Sequence, residues 1–370
     1  MNAQDNDVVE ATVAMVARTM DALEVLGFIA RHLHPPDIAS LVQVLGDADT
    51  ALRAAGEQIA RVAWPEHLLP FRDQAQRAAA LTLRACDGLR AAASPGADTL
   101  RQAFRSLRDV SRGLEAMYPL ATSLPSVSRF FLAPDRRGDQ ALLDRLAATA
   151  SRSDDTQVGV LHADNATDQR GGFSVFVPED YDPARPYPVV MALHGGSGHG
   201  RLFLWSWVRE ARGRGVIVVS PTAVGDTWSL MQPELDAANL VHVLEQVAQT
   251  WRIDRGRLLL TGMSDGGTFT LLSGIDQDSP FTHLAPVAAS FHPLLLSMAP
   301  PQRLLGLPVY LVHGALDWMF PVSVARSAHS ALDAAGAKVV YRELTDLSHA
   351  YPREENSLML DWFLEDEATL

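Results

Sequence analysis

The chain has 370 residues, of which 47% are apolar and 20% charged, a composition typical of a globular protein with room for two domains. Its formal net charge of −13 excludes the basic surface that nucleic-acid binding requires, and its single cysteine, Cys86, excludes an internal disulfide bond. The first residues lack the basic and apolar regions of a signal peptide, and no apolar run approaches the roughly 20 residues that cross a bilayer. We therefore expect a cytoplasmic protein without a membrane span.

Residues 1–120 carry apolar side chains at a helical period, and breaks at 35–37, 64–66 and 94–96 divide them into four predicted helices. The buried face predicted for the first helix is Val9, Val13, Val16, Met20 and Leu23. The faces predicted for the others are Ile38, Val42, Leu45, Leu52, Ile59 and Val62, then Phe71, Ala75, Ala78, Ala85 and Leu89, and finally Leu100, Phe104, Leu107, Leu114 and Met117. Four amphipathic helices with short joins predict an all-α, four-helix-bundle-like domain.

The sequence leaves the role of this bundle open between a packing domain, a surface for forming a homo-oligomer and a lid over an active site. Cys86 lies near its apolar face and is predicted to be a small core residue. Residues 121–157 are predicted to be a connector, anchored by Phe130 and Phe131, with one further helix over 139–150.

From residue 158 the pattern changes to strands and helices in turn, which predicts an α/β domain over 158–370 with a mostly parallel sheet covered by helices. The predicted strands are 158–162, 172–177, 187–193, 216–220, 258–261, 284–289, 309–312 and 339–344. The main predicted helices are 202–212, 233–251, 322–335 and 356–364.

The strand over 258–261 runs into Gly262-Met263-Ser264-Asp265-Gly266, and a helix-compatible segment follows. Glycines two positions before and after a serine allow the sharp strand-to-helix turn that projects the serine hydroxyl from the sheet edge. A serine hydroxyl is a poor nucleophile until a base removes its proton, so this turn predicts an imidazole nearby.

Three more loops at strand ends carry groups suited to that chemistry, because active groups collect at the carboxyl ends of parallel strands. They are 194–198, after an early strand; 313–317, which contains Asp317; and 347–349, which ends in His349. His349 is the predicted base because, unlike its rivals His283, His292 and His313, it follows the last strand. Asp317 is preferred over Asp346 as the group that orients the base.

Backbone amides of Gly196 and Asp265 are the predicted donors to the oxyanion of a tetrahedral intermediate. The side chain of Asp265 is expected to point away from the Ser264 hydroxyl. His194 and His313 are predicted to brace their turns. The residues predicted to line the substrate pocket are Trp228, Trp318 and His292. The sequence contains no metal-binding motif and no phosphate-binding loop, so we expect no cofactor and no metal.

Four segments together resemble a known family: 191–198, 252–267, 313–322 and 347–349. Over about 158–367 the chain resembles α/β-hydrolase serine esterases, more narrowly the bacterial polyhydroxybutyrate-depolymerase, feruloyl-esterase and dienelactone-hydrolase-like groups. The resemblance implies an α/β-hydrolase fold in which nucleophile, acid and base follow the chain order serine, aspartate, histidine. It does not extend to the N-terminal helices.

Together these observations predict a serine carboxylesterase acting on uncharged short- to medium-chain, aryl or polyester-like esters, whether small or polymeric. A thioesterase, a lysophospholipase or an acyl-peptidase with the same triad remains open. So does a function of another class, in which the helical bundle binds a partner and the hydrolase fold is a non-catalytic scaffold.

Overall fold

The computed structural model describes residues 3–94, 98–149 and 157–365, which divide into two compact units, Met1–Gly138 and Asp139–Leu370. The division falls inside the connector predicted over 121–157, and the domain boundaries expected from the sequence remain a prediction. Part of the predicted break at 94–96, part of that connector and the end of the helix predicted over 139–150 lie outside the described residues. Within the described part of the chain, no helix combines the length and apolar character needed to cross a membrane.

Among the described residues, the regular structure of the first unit is entirely helical. Its α-helices are α1 Ala3–Arg31, α2 Ile38–Val42, α3 Ala48–Arg61, α4 Leu69–Ala92, α5 Thr99–Met117 and α6 Pro125–Phe130. The long helices α1, α3, α4 and α5 pack on one another, which confirms the bundle-like helical region. Asp98 accepts a hydrogen bond from the amide of Arg101 and so caps the N-terminus of α5.

The face predicted for α1 is confirmed at Val16 and Leu23 but wrong at Val9 and Val13. Val9 and Val13 are 49% and 61% exposed, whereas Ala11 and Ala22 are completely buried against the other helices. The buried stripe is rotated onto Val8, Ala11, Met15, Val16, Ala22, Leu23, Leu26 and Ile29. Small alanines allow close approach of the helix backbones, whereas periodicity in hydrophobicity favours the bulkier valines. Phe104, which was predicted to lie on the buried face of α5, is likewise 39% exposed.

Cys86 lies on α4 and is completely buried. Desolvation, together with the nearby carboxylates of Asp49 and Asp87, raises the pKa of its thiol to about 12. A thiol with such a pKa carries almost no thiolate at neutral pH, so Cys86 packs as a small apolar residue.

The second unit alternates strands and helices. Its strands are β1 Gly159–Ala163, β2 Phe173–Val177, β3 Tyr187–Leu193, β4 Ile217–Pro221, β5 Ile253–Met263, β6 His283–Val287, β7 Pro308–Gly314 and β8 Lys338–Leu344. Its helices are α7 Gln140–Thr149, α8 Gly200–Phe203, α9 Val208–Arg212, α10 Glu234–Thr250, α11 Asp265–Gly274, α12 Pro301–Leu304, α13 Val322–Ala334 and α14 Glu355–Leu364.

The strands form one sheet in the order β1-β2-β4-β3-β5-β6-β7-β8, antiparallel at β1-β2 and β2-β4 and parallel from β4 to β8. Strands β3 and β5 are completely or largely buried in their parallel parts, which explains their continuous apolar sequence. This mostly parallel eight-stranded sheet confirms the predicted α/β-hydrolase fold.

The register of the sheet brings the loops that carry the predicted site to one edge. Leu193 pairs with Gly262, so the loop after β3 starts beside the turn after β5. Met263 pairs with Val287, and Gly314 pairs with Leu344, so the loops after β6, β7 and β8 begin at the same edge. From β3 the chain continues to β4 on one side of it, whereas β5 lies on the other side. An open α/β sheet leaves a crevice for a ligand at such a reversal of strand order.

Candidate active site

Ser264 stands at the turn between β5 and α11, with φ 56° and ψ −118°. A non-glycine residue in this region is strained and persists only where its surroundings impose the conformation. The surroundings here are tight. A Cβ on Gly262 would lie 2.5 Å from the carbonyl of Gly266, and a Cβ on Gly266 would lie 2.5 Å from the carbonyl oxygen of His194. Both glycines are therefore required by the close approach of β3, β5 and α11.

Ser264 begins a chain of hydrogen bonds that runs through His349 to Asp317, two side chains from distant loops. His349 Nε2 lies 3.0 Å from Ser264 Oγ, and His349 Nδ1 lies 2.8 Å from Asp317 Oδ2. All three residues are buried, with 4% to 7% of their surface exposed. The structure thus brings together the three residues that the sequence nominated as nucleophile, base and acid.

Asp317 is fixed on both of its carboxylate oxygens. Oδ1 accepts hydrogen bonds from the amides of Met319 and Phe320, at 2.9 and 2.8 Å, while Oδ2 faces His349. Burial alone would raise the pKa of Asp317, but the hydrogen bonds from His349 and from the Phe320 amide outweigh it and lower that pKa. A carboxylate held ionised in this way can fix one tautomer of the imidazole and stabilise its protonated form.

The loop after β3 lies directly against the nucleophile. A Cβ on Gly195 would be 3.7 Å from Ser264 Cβ, and a Cβ on Gly196 would be 2.7 Å from Asp265 Oδ2. His194 holds the start of this loop: its Nδ1 donates to the Gly195 carbonyl at 2.7 Å, and its Nε2 accepts from the Ala223 amide at 3.1 Å. Amides of Gly196 and Asp265 therefore belong to segments that flank Ser264 on either side.

His194 should make the protein less stable in acid. Burial of the ring away from water lowers its pKa from 6.5 to about 4. Protonation of Nε2 would also break the hydrogen bond that it accepts from the Ala223 amide. Between pH 6.5 and 4 the unfolded chain binds a proton that the folded chain does not, so the free energy of unfolding falls as pH falls through this window. Because the pKa of His194 falls from 6.5 to about 4 on folding, acidification through both values lowers the free energy of unfolding by about 3 kcal/mol.

Urea unfolding at pH 7 and pH 4 tests this expectation by comparing wild type with His194→Gln and with His67→Gln, a control at an exposed histidine. The acid-induced loss should be smaller in His194→Gln than in wild type, and the same as wild type in the control. Equal losses in all three proteins would show that His194 is not the group responsible.

The remaining predicted residues are dispersed. Trp318 is 43% exposed, and its ring lies 6.2 Å from that of His349. Trp228 is buried instead of lining a pocket, and its indole donates to the His194 carbonyl at 2.7 Å. His292 is exposed, and its ring accepts a hydrogen bond from the Leu294 amide. His313 Nε2 donates to the Phe320 carbonyl at 2.8 Å and so braces the acid loop.

Two residues near the site could not be predicted from the sequence. Thr227 donates a hydrogen bond to Asp265 Oδ2 at 2.6 Å, and Arg170 reaches the carbonyls of Gly198 and Gly225. Both lie in polar loops without periodicity, where the sequence offers no signal for a tertiary contact. No group of three or more side chains suited to a metal ion is present among the described residues.

Comparison with known proteins supports the assignment of the fold. Residues 233–363 match the model of a family described as phospholipase/carboxylesterase. A probable dipeptidyl-peptidase 5 from Aspergillus flavus is 23% identical over 228 residues, which are 50% of this chain and 31% of that protein. This chain therefore spans about a third of the length of the curated relatives it matches.

Two solved structures illustrate the structural likeness. A thermostable esterase is 21% identical with a TM-score of 0.45, over 55% of this chain and 61% of that one. The fluorophosphonate-binding serine hydrolase F of Staphylococcus aureus is 16% identical with a TM-score of 0.45, over 56% of this chain and 98% of that one. The stretch that matches the phospholipase/carboxylesterase family model lies in the second unit and includes Ser264, Asp317 and His349.

Proposed function

We propose that the C-terminal unit is a carboxylesterase that hydrolyses uncharged esters through an acyl-enzyme formed on Ser264, with Asp317 and His349 as its triad partners. The observation that carries the proposal is the continuous chain of hydrogen bonds from Ser264 Oγ through both nitrogens of His349 to Asp317. An incidental serine would not need a buried, doubly anchored aspartate behind its histidine.

In the proposed mechanism, His349 Nε2 takes the hydroxyl proton as Ser264 Oγ attacks the ester carbonyl. The amides of Gly196 and Asp265 donate to the oxygen that becomes negative. Collapse of the tetrahedral intermediate breaks the bond to the alcohol, which receives the proton from His349. Water then repeats the sequence on the acyl-enzyme, which releases the acid and restores Ser264.

Apolar side chains around the site favour an uncharged acyl group. The ring of Phe320 lies 5.4 Å from that of His349, in an edge-on arrangement. Leu316, Trp318 and Met319, on the same loop as Asp317, are each more than 40% exposed. Exposed apolar side chains beside a buried nucleophile are suited to binding an alkyl or aryl chain.

A panel of p-nitrophenyl esters with acyl chains of 2 to 12 carbons tests the proposal, with matched thioesters and aminoacyl p-nitroanilides alongside. We expect ester turnover with the highest kcat/KM at short to medium chains, and anilide turnover at least about 100-fold slower. Faster cleavage of the anilides would support an acyl-peptidase instead, as the similarity to dipeptidyl-peptidase 5 would suggest. Absence of turnover on every substrate would support a non-catalytic binding function.

A further inference from the structure

Arg170 joins two loops beside the proposed active site. It stands in the loop between β1 and β2, far in sequence from Ser264. Its Nη1 donates to the Gly198 carbonyl at 2.7 Å, while Nε and Nη2 donate to the Gly225 carbonyl at 2.9 and 2.5 Å. One guanidinium group therefore ties the loop after β3 to the loop after β4.

The first of these loops contains Gly196. Residues 195–198 form a tight turn in which the Gly198 amide donates to the Gly195 carbonyl at 3.0 Å, and Ser197 has φ 53°. His194 holds the beginning of the turn, through its bonds to Gly195 and to the loop after β4. Arg170 holds the end of the turn, at Gly198. The direction of the Gly196 amide is thus set from both sides.

The second loop reaches the other side of the nucleophile. Thr227 donates to the carboxylate of Asp265, whose backbone amide is the second proposed oxyanion donor. Trp228 donates to the His194 carbonyl at 2.7 Å. Arg170 fixes this loop at Gly225, two residues before Thr227, and so connects the supports of both donors.

Arg170 is itself held in place. The amide of Gly171 donates to the Thr222 carbonyl at 3.2 Å, and the Thr222 amide donates to the Gly172 carbonyl at 2.8 Å. Asn239 donates to the Gly171 carbonyl at 3.1 Å. The guanidinium is therefore presented from a backbone that is already docked onto the end of β4.

We infer that Arg170 is a positioning residue for the oxyanion hole, which holds the Gly196 and Asp265 amides in the orientation that stabilises the tetrahedral intermediate. This inference rests on the esterase function proposed above. Because the hydrogen bonds that Arg170 makes in the described structure go to Gly198 and Gly225 and not to Ser264 or His349, its effect passes through the two loops. A misplacement of about 1 Å in such a site can cost on the order of 100-fold in rate.

Arg303 supplies a matched control within the same unit. Its Nε and Nη2 donate to the Gly274 carbonyl at 3.0 and 2.6 Å, and Nη2 also donates to the Phe281 carbonyl at 2.7 Å. Burial lowers the pKa of both Arg170 and Arg303. Arg303 bridges the end of α11 and the segment before β6, at the sheet edge opposite Ser264.

The experiment compares wild type, Arg170→Lys, Arg170→Ala and Arg303→Lys, with the concentration of active sites in each counted by fluorophosphonate titration. A lysine cannot span both carbonyls, because its donors sit on one nitrogen. We expect kcat per titrated serine to fall about 10- to 100-fold in both Arg170 variants, with KM changed less than about threefold. Affinity for a trifluoromethyl ketone, which forms a tetrahedral adduct, should fall in step with kcat/KM.

Ethylguanidinium added to Arg170→Ala should restore part of the lost kcat. It should leave the kcat of Arg303→Lys unchanged, because that variant is expected to keep the wild-type kcat. The inference is overturned if wild type hydrolyses esters while the Arg170 variants keep kcat per titrated serine and lose only melting temperature, as Arg303→Lys is expected to do. Failure of wild type to hydrolyse esters or to react with the fluorophosphonate would instead overturn the proposed function.

Discussion

Replacing Ser264 with alanine is expected to lower kcat on p-nitrophenyl esters by on the order of 10⁶ and to abolish labelling by a fluorophosphonate. The reason is that the acyl-enzyme cannot form without the hydroxyl, and the base and acid have no function without it. For the same reason His349→Ala should lower kcat by about as much. The Ser264→Ala/His349→Ala double variant should lower kcat little more than either single variant. The residual rate is measured in discontinuous assays over several hours. The background rate of a protein that lacks the active site is subtracted from it.

Two variants act as controls for this result. Ser330→Ala removes an exposed hydroxyl on α13 that, within the described residues, donates to the Arg326 carbonyl alone, so its activity should equal that of wild type. Ser264→Gly should be as inactive as Ser264→Ala but about 1 kcal/mol more stable, because glycine tolerates φ 56° without strain. Labelling of Ser264→Ala at the wild-type rate would mean that another residue is the nucleophile.

Replacing Asp317 with asparagine is expected to lower kcat by about 10⁴ while leaving the fold intact. The amides of Met319 and Phe320 both donate to Oδ1, so the asparagine oxygen must take that position. Its amide nitrogen is then placed against His349 Nδ1, where Oδ2 stood. Facing a donor, Nδ1 becomes an acceptor, and the imidazole proton moves to Nε2. That tautomer cannot accept the Ser264 proton.

Asp346→Asn provides the comparison, because Asp346 is the other aspartate close to His349 in sequence and is exposed. Its activity should stay within about threefold of wild type. A neutron crystal structure or a proton NMR spectrum of Asp317→Asn should place the imidazole proton on Nε2. If Asp346→Asn instead lost activity and Asp317→Asn kept it, the assignment of the acid would be wrong.

The sequence predicted the α/β-hydrolase fold because its signals are local and repeated. Buried parallel strands are continuous apolar runs, and Gly262 and Gly266 mark a turn whose backbone contacts leave no room for a Cβ. The order of the strands along the chain then predicted which loops lie close together, since parallel strands end at the same edge of the sheet. That reasoning nominated Ser264, Asp317 and His349. The structure places His349 Nε2 3.0 Å from Ser264 Oγ and His349 Nδ1 2.8 Å from Asp317 Oδ2.

What the sequence did not predict depends on side-chain packing across the fold. Periodicity alone could not decide which stripe of α1 is buried, because Ala11 and Ala22 look unremarkable beside Val9 and Val13. Trp228 was expected in the pocket, since a tryptophan after a strand end can line or support a site equally well. Arg170 had no signal at all, because its partners are backbone carbonyls that any sequence would supply.

The buried Cys86 has a practical consequence for studying this protein. It is the single cysteine in the chain, and with a thiol pKa of about 12 it should not react with maleimides at neutral pH. A cysteine introduced at Met319, which is 46% exposed beside the acid loop, would then be the only thiol that takes a fluorophore. The native chain is thus already prepared for single-site dye attachment, and the arrival of an acyl chain could be followed in real time without first engineering a cysteine-free background.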